Sequence, residues 1–297
     1  MPSDRILPAI GMRLLSVVIF ALMNTAIKLA ERHGASVSEI LFFRQFGACL
    51  LVSAVIAAGP GLPSIATQRL PAHIIRAIVG LSAMAFTFNG IVALPLAEAT
   101  TIGFTVPIFA TILGALVLRE PTGWHRWAAV AAGFAGVLLV AQPGGDHFPL
   151  WGAGCALAGA FGTASVSILL RQIGKTESAL TTVFWFSALS LIPLSVFYGR
   201  AAQAHDLVAW TCLASVGIFG GLAQIAMTTS LRLGPVSVVV PMDYSSLLWA
   251  TLLGWLVFDA LPAEATWVGA PVIVASGLYI VWREHVRRRE ETEQAIA

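Results

Sequence analysis

Residues Ala110–Leu118 have the sequence ATILGALVL, and 140 positions later Ala250–Phe258 have the sequence ATLLGWLVF. Six of the nine positions are identical, and the same offset pairs Pro95 with Pro235. Short matches among apolar residues arise by chance, but this offset also superposes five apolar stretches of one half on five stretches of the other. We therefore predict that the chain is built from two related halves.

The composition identifies lipid as the main solvent of this chain. Of its 297 residues 58% are hydrophobic and only 11% are charged, with a mean hydropathy of +0.85. A soluble domain carries about 25% charged residues, enough to cover a water-facing surface. The composition therefore excludes a soluble enzyme, while the net charge of +2 decides nothing about function.

Apolar runs of membrane-spanning length recur along the whole chain. A transmembrane helix needs about 20 mostly apolar residues. We therefore predict an all-α membrane protein with ten transmembrane helices. The ten predicted spans are Leu7–Ala30, Val37–Ala58, Ala72–Leu94, Pro95–Leu118, Trp124–Ala141, Leu150–Leu170, Ala179–Tyr198, Leu207–Leu231, Gly234–Phe258 and Ala263–Trp282.

The number of helices in each half determines how the halves are related. Because five is odd, the second half must cross the membrane upside down relative to the first. We predict a first five-helix repeat at 1–145, a second, inverted repeat at 146–283 and a cytoplasmic tail at 284–297. Inverted repeats are typical of secondary transporters, with the binding site near the midplane between the repeats. The alternative is a duplicated structural membrane protein.

Small residues occur at helical spacing in two of the predicted spans. Gly154, Ala158 and Gly162 recur every four positions, and Gly133 and Gly136 lie in the fifth span. Small residues allow membrane helices to approach each other closely. The pattern predicts tight helix packing and does not bear on the substrate.

The distribution of lysine and arginine predicts the orientation. Cytoplasmic loops carry an excess of these residues. With a cytoplasmic N-terminus, thirteen fall on the cytoplasmic side and three on the other, with Arg44 inside a span. We predict a multi-pass protein of a bacterial-type inner membrane with both termini cytoplasmic. The thirteen are Arg5, Arg13, Arg69, Arg76, Arg119, Arg126, Arg171, Lys175, Arg232, Arg283, Arg287, Arg288 and Arg289, and the three are Lys28, Arg32 and Arg200.

One continuous stretch resembles a known family. Leu94–Val140 has the sequence LPLAEATTIGFTVPIFATILGALVLREPTGWHRWAAVAAGFAGVLLV. It resembles the best-marked region of EamA-type proteins in the drug/metabolite transporter superfamily. The shared features are a leucine-proline opening, the mid-helix Pro107, the closing Glu120, the aromatic Trp127 and a glycine-rich next helix.

Further matches and one departure accompany this resemblance. Phe42–Gln45, FFRQ, is similar to the arginine-bearing second helix of the family, and Lys28 matches a lysine that often ends the first. The second half has Asp259-Ala260 where the first has Arg119-Glu120, so the closing glutamate lacks a counterpart.

The resemblance implies a ten-helix transporter that moves metabolites without ATP. Members handle amino acids, nucleotide-related compounds, vitamins and amino-acid-derived metallophores. The first-half stretch looks closest to a branch that includes carriers for S-adenosylmethionine, riboflavin and metallophores.

Asp243 is the clearest ionisable residue inside a predicted span. Ionisable groups there cost several kcal/mol unless they face a cavity or a partner. Asp243 lies about nine residues into the ninth span, and Pro241 removes a backbone bond beside it. We predict that Asp243 couples transport to protons or binds a cationic group of the solute. The alternative is a structural aspartate paired with an arginine.

Three further polar residues near the predicted midplane and outer surface are candidates for an anionic substrate group. Arg44 and its neighbour Gln45 lie about two turns into the second span, and Lys28 lies near the end of the first. Arginine binds carboxylate and phosphate through two parallel hydrogen bonds. The alternative is an interior ion pair with Glu39 or Glu98.

The remaining predicted substrate-binding residues are uncharged polar or aromatic groups within the spans. The polar ones can instead hydrogen-bond a neighbouring helix. The aromatic ones can instead serve packing or lipid contact. These candidates are Asn24, Asn89 and Gln224 on the polar side and Phe86, Trp185, Tyr244 and Trp249 on the aromatic side.

No motif in the sequence supports catalysis. It has no His-Glu-x-x-His, no paired metal spacing and no glycine-rich phosphate loop. We therefore predict no enzyme activity, no cofactor, no metal, no nucleic-acid partner and no ATP-driven step. The expected partners are a small-molecule substrate and membrane lipid, and the chain is predicted to act as a monomer or homodimer.

These observations favour a proton-coupled, secondary-active exporter of an amino-acid-like metabolite or an amino-acid-derived one such as a metallophore. One alternative is an importer of S-adenosylmethionine, riboflavin or a similar metabolite. Alternatives of other classes are a membrane-embedded lipid-modifying enzyme and a channel. The scattered charges and the inverted repeat favour alternating access over a channel.

Overall fold

The computed structural model describes residues 6–59, 61–116, 124–141, 149–173, 176–233 and 240–296. These residues form α-helices, short 3-10 segments and connecting turns, and none of them lies in a β-strand. The helices are α1 Ile6–Arg32, α2 Val37–Ala58, α3 Leu70–Ala93, α4 Leu96–Gly103, α5 Val106–Leu116, α6 Trp124–Ala141, α7 Leu150–Ile173, α8 Ala179–Ala201, α9 Leu207–Leu233, α10 Ser246–Phe258 and α11 Glu264–Ile296, and the 3-10 helices are Leu62–Ile65 and Val240–Ser245.

The apolar helices match the predicted spans. Within the described residues, eight helical segments are long and apolar enough to cross a membrane, α4 and α5 counting together as one. Two shorter apolar helical segments, Trp127–Val140 and Met242–Phe258, correspond to the fifth and ninth predicted spans. The prediction of an all-α membrane protein is confirmed.

The fourth predicted span is interrupted in its middle. Helix α4 ends at Gly103, and α5 begins at Val106. Because Pro107 has no backbone N–H, it cannot donate to the carbonyl of Gly103, and its ring crowds that carbonyl. Within the break, the Thr105 hydroxyl donates to the Ile102 carbonyl at 2.7 Å. The regular helical hydrogen bonds are therefore interrupted between α4 and α5.

The ninth predicted span is also not one regular helix. Its first residues, 234–239, lie outside the described part of the chain. The 3-10 helix Val240–Ser245 follows and continues into α10. The predicted spans Pro95–Leu118 and Gly234–Phe258, equivalent under the 140-residue offset, therefore both contain irregular backbone.

Helix starts at one end of the bundle are fixed by local side chains. Ser36 and Glu39 form a capping box at α2, with Ser36 N–H donating to Glu39 Oε2 at 2.8 Å. Gly34, at φ +87°, makes the sharp turn before it. Asp206 caps α9 by accepting the Ala209 N–H at 2.8 Å.

Glycines set the contact between α3 and α7. A Cβ added to Gly159 would lie 2.8 Å from Thr87 N, and Gly162 is similarly close to α3. By contrast, a Cβ on Gly154 would meet no atom within 4 Å. The predicted tight packing is therefore wrong at Gly154. Gly154 follows Gly152, which faces α3, by two positions, so it is turned by about 200° around the helix and points away from α3.

The predicted close packing at Gly133 and Gly136 is confirmed between α6 and α11. A Cβ on Gly133 would lie 2.7 Å from the Ser276 hydroxyl. One on Gly269 of α11 would lie 2.7 Å from the Gly136 carbonyl. Backbones approach this closely only where neither helix carries a side chain.

Residue contacts fix the directions of the helices. Gly152 at the start of α7 lies against Leu94, and Gly162 lies against Ala83, so α7 runs antiparallel to α3. Lys28 near the end of α1 contacts the end of α3, so α1 and α3 run the same way. The first helices of the two halves, α1 and α7, therefore run in opposite directions, as an inverted repeat requires.

The helix pairing follows the same relation. Helix α1 packs mainly on α9, and α3 packs mainly on α7; the 140-residue offset exchanges these two pairs. Helix α10 runs parallel to α1, because Asp243, just before α10, contacts Arg13, and Phe258 at its end contacts Arg32. We call the two ends of the bundle the Lys28 end and the Arg13 end.

Candidate functional site

The two irregular segments meet between the halves. The rings of Phe104 and Tyr244 are in edge contact, with centroids 4.9 Å apart. Phe104 lies between α4 and α5, Tyr244 lies in the 3-10 helix, and the two residues are 140 positions apart. The Tyr244 hydroxyl is buried against Gly277 of α11, where no side chain blocks it, and has no hydrogen-bond partner in the described structure. The repeats thus touch at equivalent breaks in their helices.

Beside this contact, Asp243 forms a bidentate ion pair with Arg13 of α1. Arg13 Nε donates to Asp243 Oδ1 at 2.6 Å, and Arg13 Nη2 donates to Oδ2. The Arg13 side chain is 8% exposed and the Asp243 side chain 37%. The alternative stated for Asp243, pairing with an arginine, therefore holds in this conformation, while its role in coupling stays a prediction.

Arg13 is not the loop charge that the sequence suggested. The charge bias predicts that it lies at the cytoplasmic surface, but it lies in the second turn of α1 and is buried, with Nη1 lacking any partner in the described structure. Its position, seven residues inside a predicted span, was the available indication that it faces the protein interior.

Lys28 is held at the other end of α1 by backbone oxygens. Its ammonium donates to the carbonyls of Ile91 at 3.1 Å and Val92 at 3.2 Å, and also to that of Leu94. The last carbonyls of a helix have no intrahelical partners, so the end of α3 attracts a cation. The alternative of a direct ion pair with Glu39 or Glu98 is therefore wrong for Lys28.

A cavity of about 250 Å³ opens at the Lys28 end. The guanidinium of Arg32, one turn beyond Lys28, lies 4.5 Å from the centroid of the Phe258 ring. The cavity therefore has two cations on its wall and lies between α1, the α3–α4 connection and α10. Its lining residues are Lys28, Arg32, Ala93, Leu94, Pro95, Leu96, Gly254, Phe258 and Ala260.

Arg44 and Gln45 lie together in α2, both buried. Arg44 Nη1 donates to Gln45 Oε1. The ion-pair alternative is wrong for Arg44 also: Glu39 is 2.8 Å from His205 Nε2, and Glu98 accepts from the backbone N–H of Ala263 at 2.9 Å. Both carboxylates thus serve the connections at the Lys28 end.

Arg76 of α3 is the second buried arginine of this region, and the sequence did not single it out. Its guanidinium carbon lies 4.1 Å from the centroid of the Phe186 ring in α8. Like Arg13, it had been counted as a cytoplasmic charge although it lies inside a predicted span.

Of the predicted polar candidates, Asn24 is half-buried one turn before Lys28 on the same face of α1. Asn89 donates to the Ala85 carbonyl of its own helix at 2.8 Å. Gln224 is half-buried in α9 and has a partner. These three residues lie on different helices and are not hydrogen-bonded to one another.

The predicted aromatic candidates are dispersed. Phe86 and Trp249 are exposed on the surfaces of α3 and α10. Trp185 lies towards the Arg13 end of α8, where its Nε1 donates to the Ile65 carbonyl at 2.9 Å. Only Tyr244 lies at the junction of the halves. The part of the chain that the structure describes holds no group of three metal-ligating side chains.

Two helical halves whose first helices run in opposite directions, with breaks that meet between them, are typical of membrane transporters. The sequence model of the EamA-like transporter family matches residues 7–142 and again residues 150–282. The chain therefore belongs to the EamA-like transporter family.

Relatives with assigned transport functions match nearly the full chain. A riboflavin transporter of Vibrio cholerae is 28% identical, covering 91% of this chain and 92% of the relative. An S-adenosylmethionine uptake transporter of Rickettsia bellii is 25% identical, covering 83% and 84%. The pseudopaline exporter CntI of Pseudomonas aeruginosa is 24% identical, covering 93% and 96%. A solved crystal structure superposes with a TM-score of 0.63 at 18% identity, covering 93% and 97%, which supports the fold.

Proposed function

We propose that this chain is a secondary-active transporter of a small organic metabolite that works by alternating access. The contact of Phe104 with Tyr244 carries the proposal, because it joins equivalent breaks of two inverted repeats. Irregular backbone at membrane depth is tolerated only where it is buried in protein or lines a water-filled cavity. The repeats can exchange conformations, which opens the site to one side and then to the other.

The relatives define the range of candidate solutes. Their names include riboflavin, S-adenosylmethionine and pseudopaline. They also include both uptake and export. We retain export of an amino-acid-derived solute as the prediction, with uptake of riboflavin or S-adenosylmethionine as its alternative.

We further propose that Asp243 binds the coupling proton. In the described conformation Arg13 balances its charge through two hydrogen bonds. Protonation would cancel the attraction and free both side chains, so the 3-10 helix beside α1 could separate from Arg13. The Asp243 side chain is 37% exposed, which gives a proton access to it.

The charge bias supports an orientation with both termini in the cytoplasm of a bacterial-type inner membrane. The Arg13 end, where α1 begins, would then face the cytoplasm. The cavity at the Lys28 end would face the opposite side. Cysteine labelling of Ser3→Cys and Arg200→Cys variants in intact cells tests this orientation: only the second should react with an impermeant maleimide.

Transport is tested in proteoliposomes that contain a trapped pH dye. Riboflavin, S-adenosylmethionine and an amino-acid-derived metallophore are added separately to the wild type and to Asp243→Asn. The matched control is Asp259→Asn, because Asp259 is exposed at φ 52° and asparagine tolerates this conformation.

We expect one solute to trigger proton flux that Asp243→Asn loses and Asp259→Asn keeps. Solute exchange without proton flux would refute coupling but keep the transporter. If no solute moves through any variant, the transporter proposal fails for these substrate classes.

A further inference from the structure

Among the residues that the structure describes, two arginines are buried without an acidic partner. Arg44 is 6% exposed and Arg76 is 9% exposed. Among the described residues, no carboxylate lies within 4.0 Å of either guanidinium. Burying an unpaired charge is costly, and proteins normally pair it or use it to bind a ligand.

Several N–H groups of this region have no acceptor. Arg44 Nε, and Arg76 Nε and Nη1, are buried and make no hydrogen bond in the described structure. The same is true of Gln45 Nε2, although its Oε1 accepts from Arg44. All of these are donors, so the missing partner must be an acceptor.

Serines of α8 extend the set of unsatisfied groups. Ser187 and Ser190 are buried, and their hydroxyls have no partner in the described structure. Ser190 lies one turn beyond Phe186 on the same face of α8, and Phe186 packs on the Arg76 guanidinium. The polar face of α8 therefore lies beside the Arg76-bearing face of α3, and α8 packs on both α2 and α3, the helices that carry the two arginines.

Equivalent glycines of the two repeats lie beside the two arginines. A Cβ on Gly80 of α3 would overlap Arg76 Nη1. A Cβ on Gly220 of α9 would lie 3.4 Å from Arg44 Nε. Gly80 and Gly220 are 140 positions apart. Each repeat thus has a glycine at the same position beside one of the two arginine side chains, and an added Cβ would clash severely at Gly80 but not at Gly220.

We propose that Arg44 and Arg76 form an oxyanion-binding subsite and that the transported solute carries a carboxylate or phosphate group that binds there. Guanidinium groups bind such groups through paired, charge-assisted hydrogen bonds. An oxyanion bound by both guanidinium groups would offset their buried positive charges and accept from their unsatisfied N–H groups. The inference rests on the proposed transport function, because it names the class of its substrate.

Binding is measured with the full chain in detergent by thermal unfolding followed by circular dichroism. The probes are inorganic phosphate, succinate and chloride at equal ionic strength. Two organic pairs follow: flavin mononucleotide against riboflavin, and S-adenosylmethionine against its decarboxylated form. The members of each pair differ by one oxyanion group, a phosphate in the first pair and a carboxylate in the second. The two comparisons therefore distinguish binding through a phosphate from binding through a carboxylate.

We expect the wild type to be stabilised in a saturable way by phosphate or by succinate, but not by chloride. The member of the matching pair that has the oxyanion should bind at least about 10-fold more tightly, as expected for charged hydrogen bonds. Arg44→Gln and Arg76→Gln should lose this stabilisation, and Arg76→Lys should keep part of it. Arg200→Gln, which changes an exposed arginine, should keep all of it.

The same melting curves show whether each variant is folded. Because the variants remove an unpaired buried charge, we expect their unfolding temperatures without anion to match or exceed that of the wild type. Stabilisation by anions that is equal in wild type, Arg44→Gln and Arg76→Gln would overturn the subsite. So would the absence of any anion effect on the wild type.

Failure of this inference is distinguishable from failure of the transport proposal. Solute transport that is equal in wild type and Arg76→Gln would refute the subsite and keep the transporter. Arginine-dependent anion binding without transport of any solute would support the subsite and refute the transporter.

Discussion

Replacing Arg13 by glutamine and Asp243 by asparagine, singly and together, measures the strength of the ion pair at the Arg13 end. Two opposite unit charges about 4 Å apart attract by about 4 kcal/mol at an effective dielectric constant of 20. Because the Asp243 side chain is 37% exposed, water screens part of this attraction. We therefore expect a coupling energy of about 1–3 kcal/mol.

The two single variants should differ, because the partners are buried to different extents. Asp243→Asn leaves the Arg13 charge unpaired in a buried site where Nη1 already lacks a partner. Breaking a buried ion pair in this way costs about 3–5 kcal/mol, so we expect the free energy of unfolding to fall by about 3 kcal/mol. Arg13→Gln leaves a carboxylate that water can reach, so its cost should be smaller, about 1–2 kcal/mol.

Unfolding by sodium dodecyl sulfate in mixed micelles, followed by tryptophan fluorescence, gives the four free energies of the cycle. A control cycle combines Arg13→Gln with Asp259→Asn, which should be additive within about 0.5 kcal/mol because these residues do not share a contact. A coupling energy below that limit for Arg13 and Asp243, or a larger loss in Arg13→Gln than in Asp243→Asn, would refute the reasoning.

Two further predictions concern helix packing and capping. Gly159→Ala should be less stable than Gly154→Ala by about 1–3 kcal/mol in the same assay, because both gain helix propensity but only the first crowds α3; equal stabilities would contradict the packing described. Hydrogen bonds from the Ala209 N–H and then from His33 lower the pKa of Asp206 from its ordinary value of 3.8. The ionised Asp206 carboxylate therefore stabilises the folded protein above pH 3.8, and this contribution is lost as the pH falls through the lower folded pKa. Asp206→Asn removes the carboxylate, so the unfolding temperature of the variant should fall less at acid pH than that of the wild type. Parallel curves of unfolding temperature against pH would contradict this prediction.

The helices were predictable because lipid imposes a simple requirement on length and polarity. The predicted second span, Val37–Ala58, has the same bounds as α2, and the first differs from α1 by only a few residues. The break within Pro95–Leu118 was not predicted, although Pro107 was recognised. Hydropathy does not change across such a break, so only the missing backbone donor of Pro107 indicated it.

The candidate site was predictable only in part. Asp243 and Arg44 were found because a charge in the middle of an apolar run is conspicuous. Arg13 and Arg76 were missed, because an arginine near the end of a span has the pattern of a topological charge. Arg13 and Asp243 are 230 residues apart in the sequence. Hydropathy describes only neighbouring residues, and charge bias describes only the side of the membrane, so neither pattern indicates that these two side chains meet.

The internal repeat offers a stronger way to find such residues than charge alone. The repeat predicts which parts of the two halves are equivalent, and the equivalent residues Phe104 and Tyr244 are in contact. The charged residues proposed to act do not obey the repeat, because the opposite copy has an uncharged residue at each position. Selection for folding as a symmetric bundle does not explain these differences, since apolar residues satisfy the same packing in the other copy. Departures of this kind therefore identify residues whose role is specific to one half, here Arg13 against Ala153, Arg44 against Phe184, Arg76 against Val216, and Asp243 against Gly103.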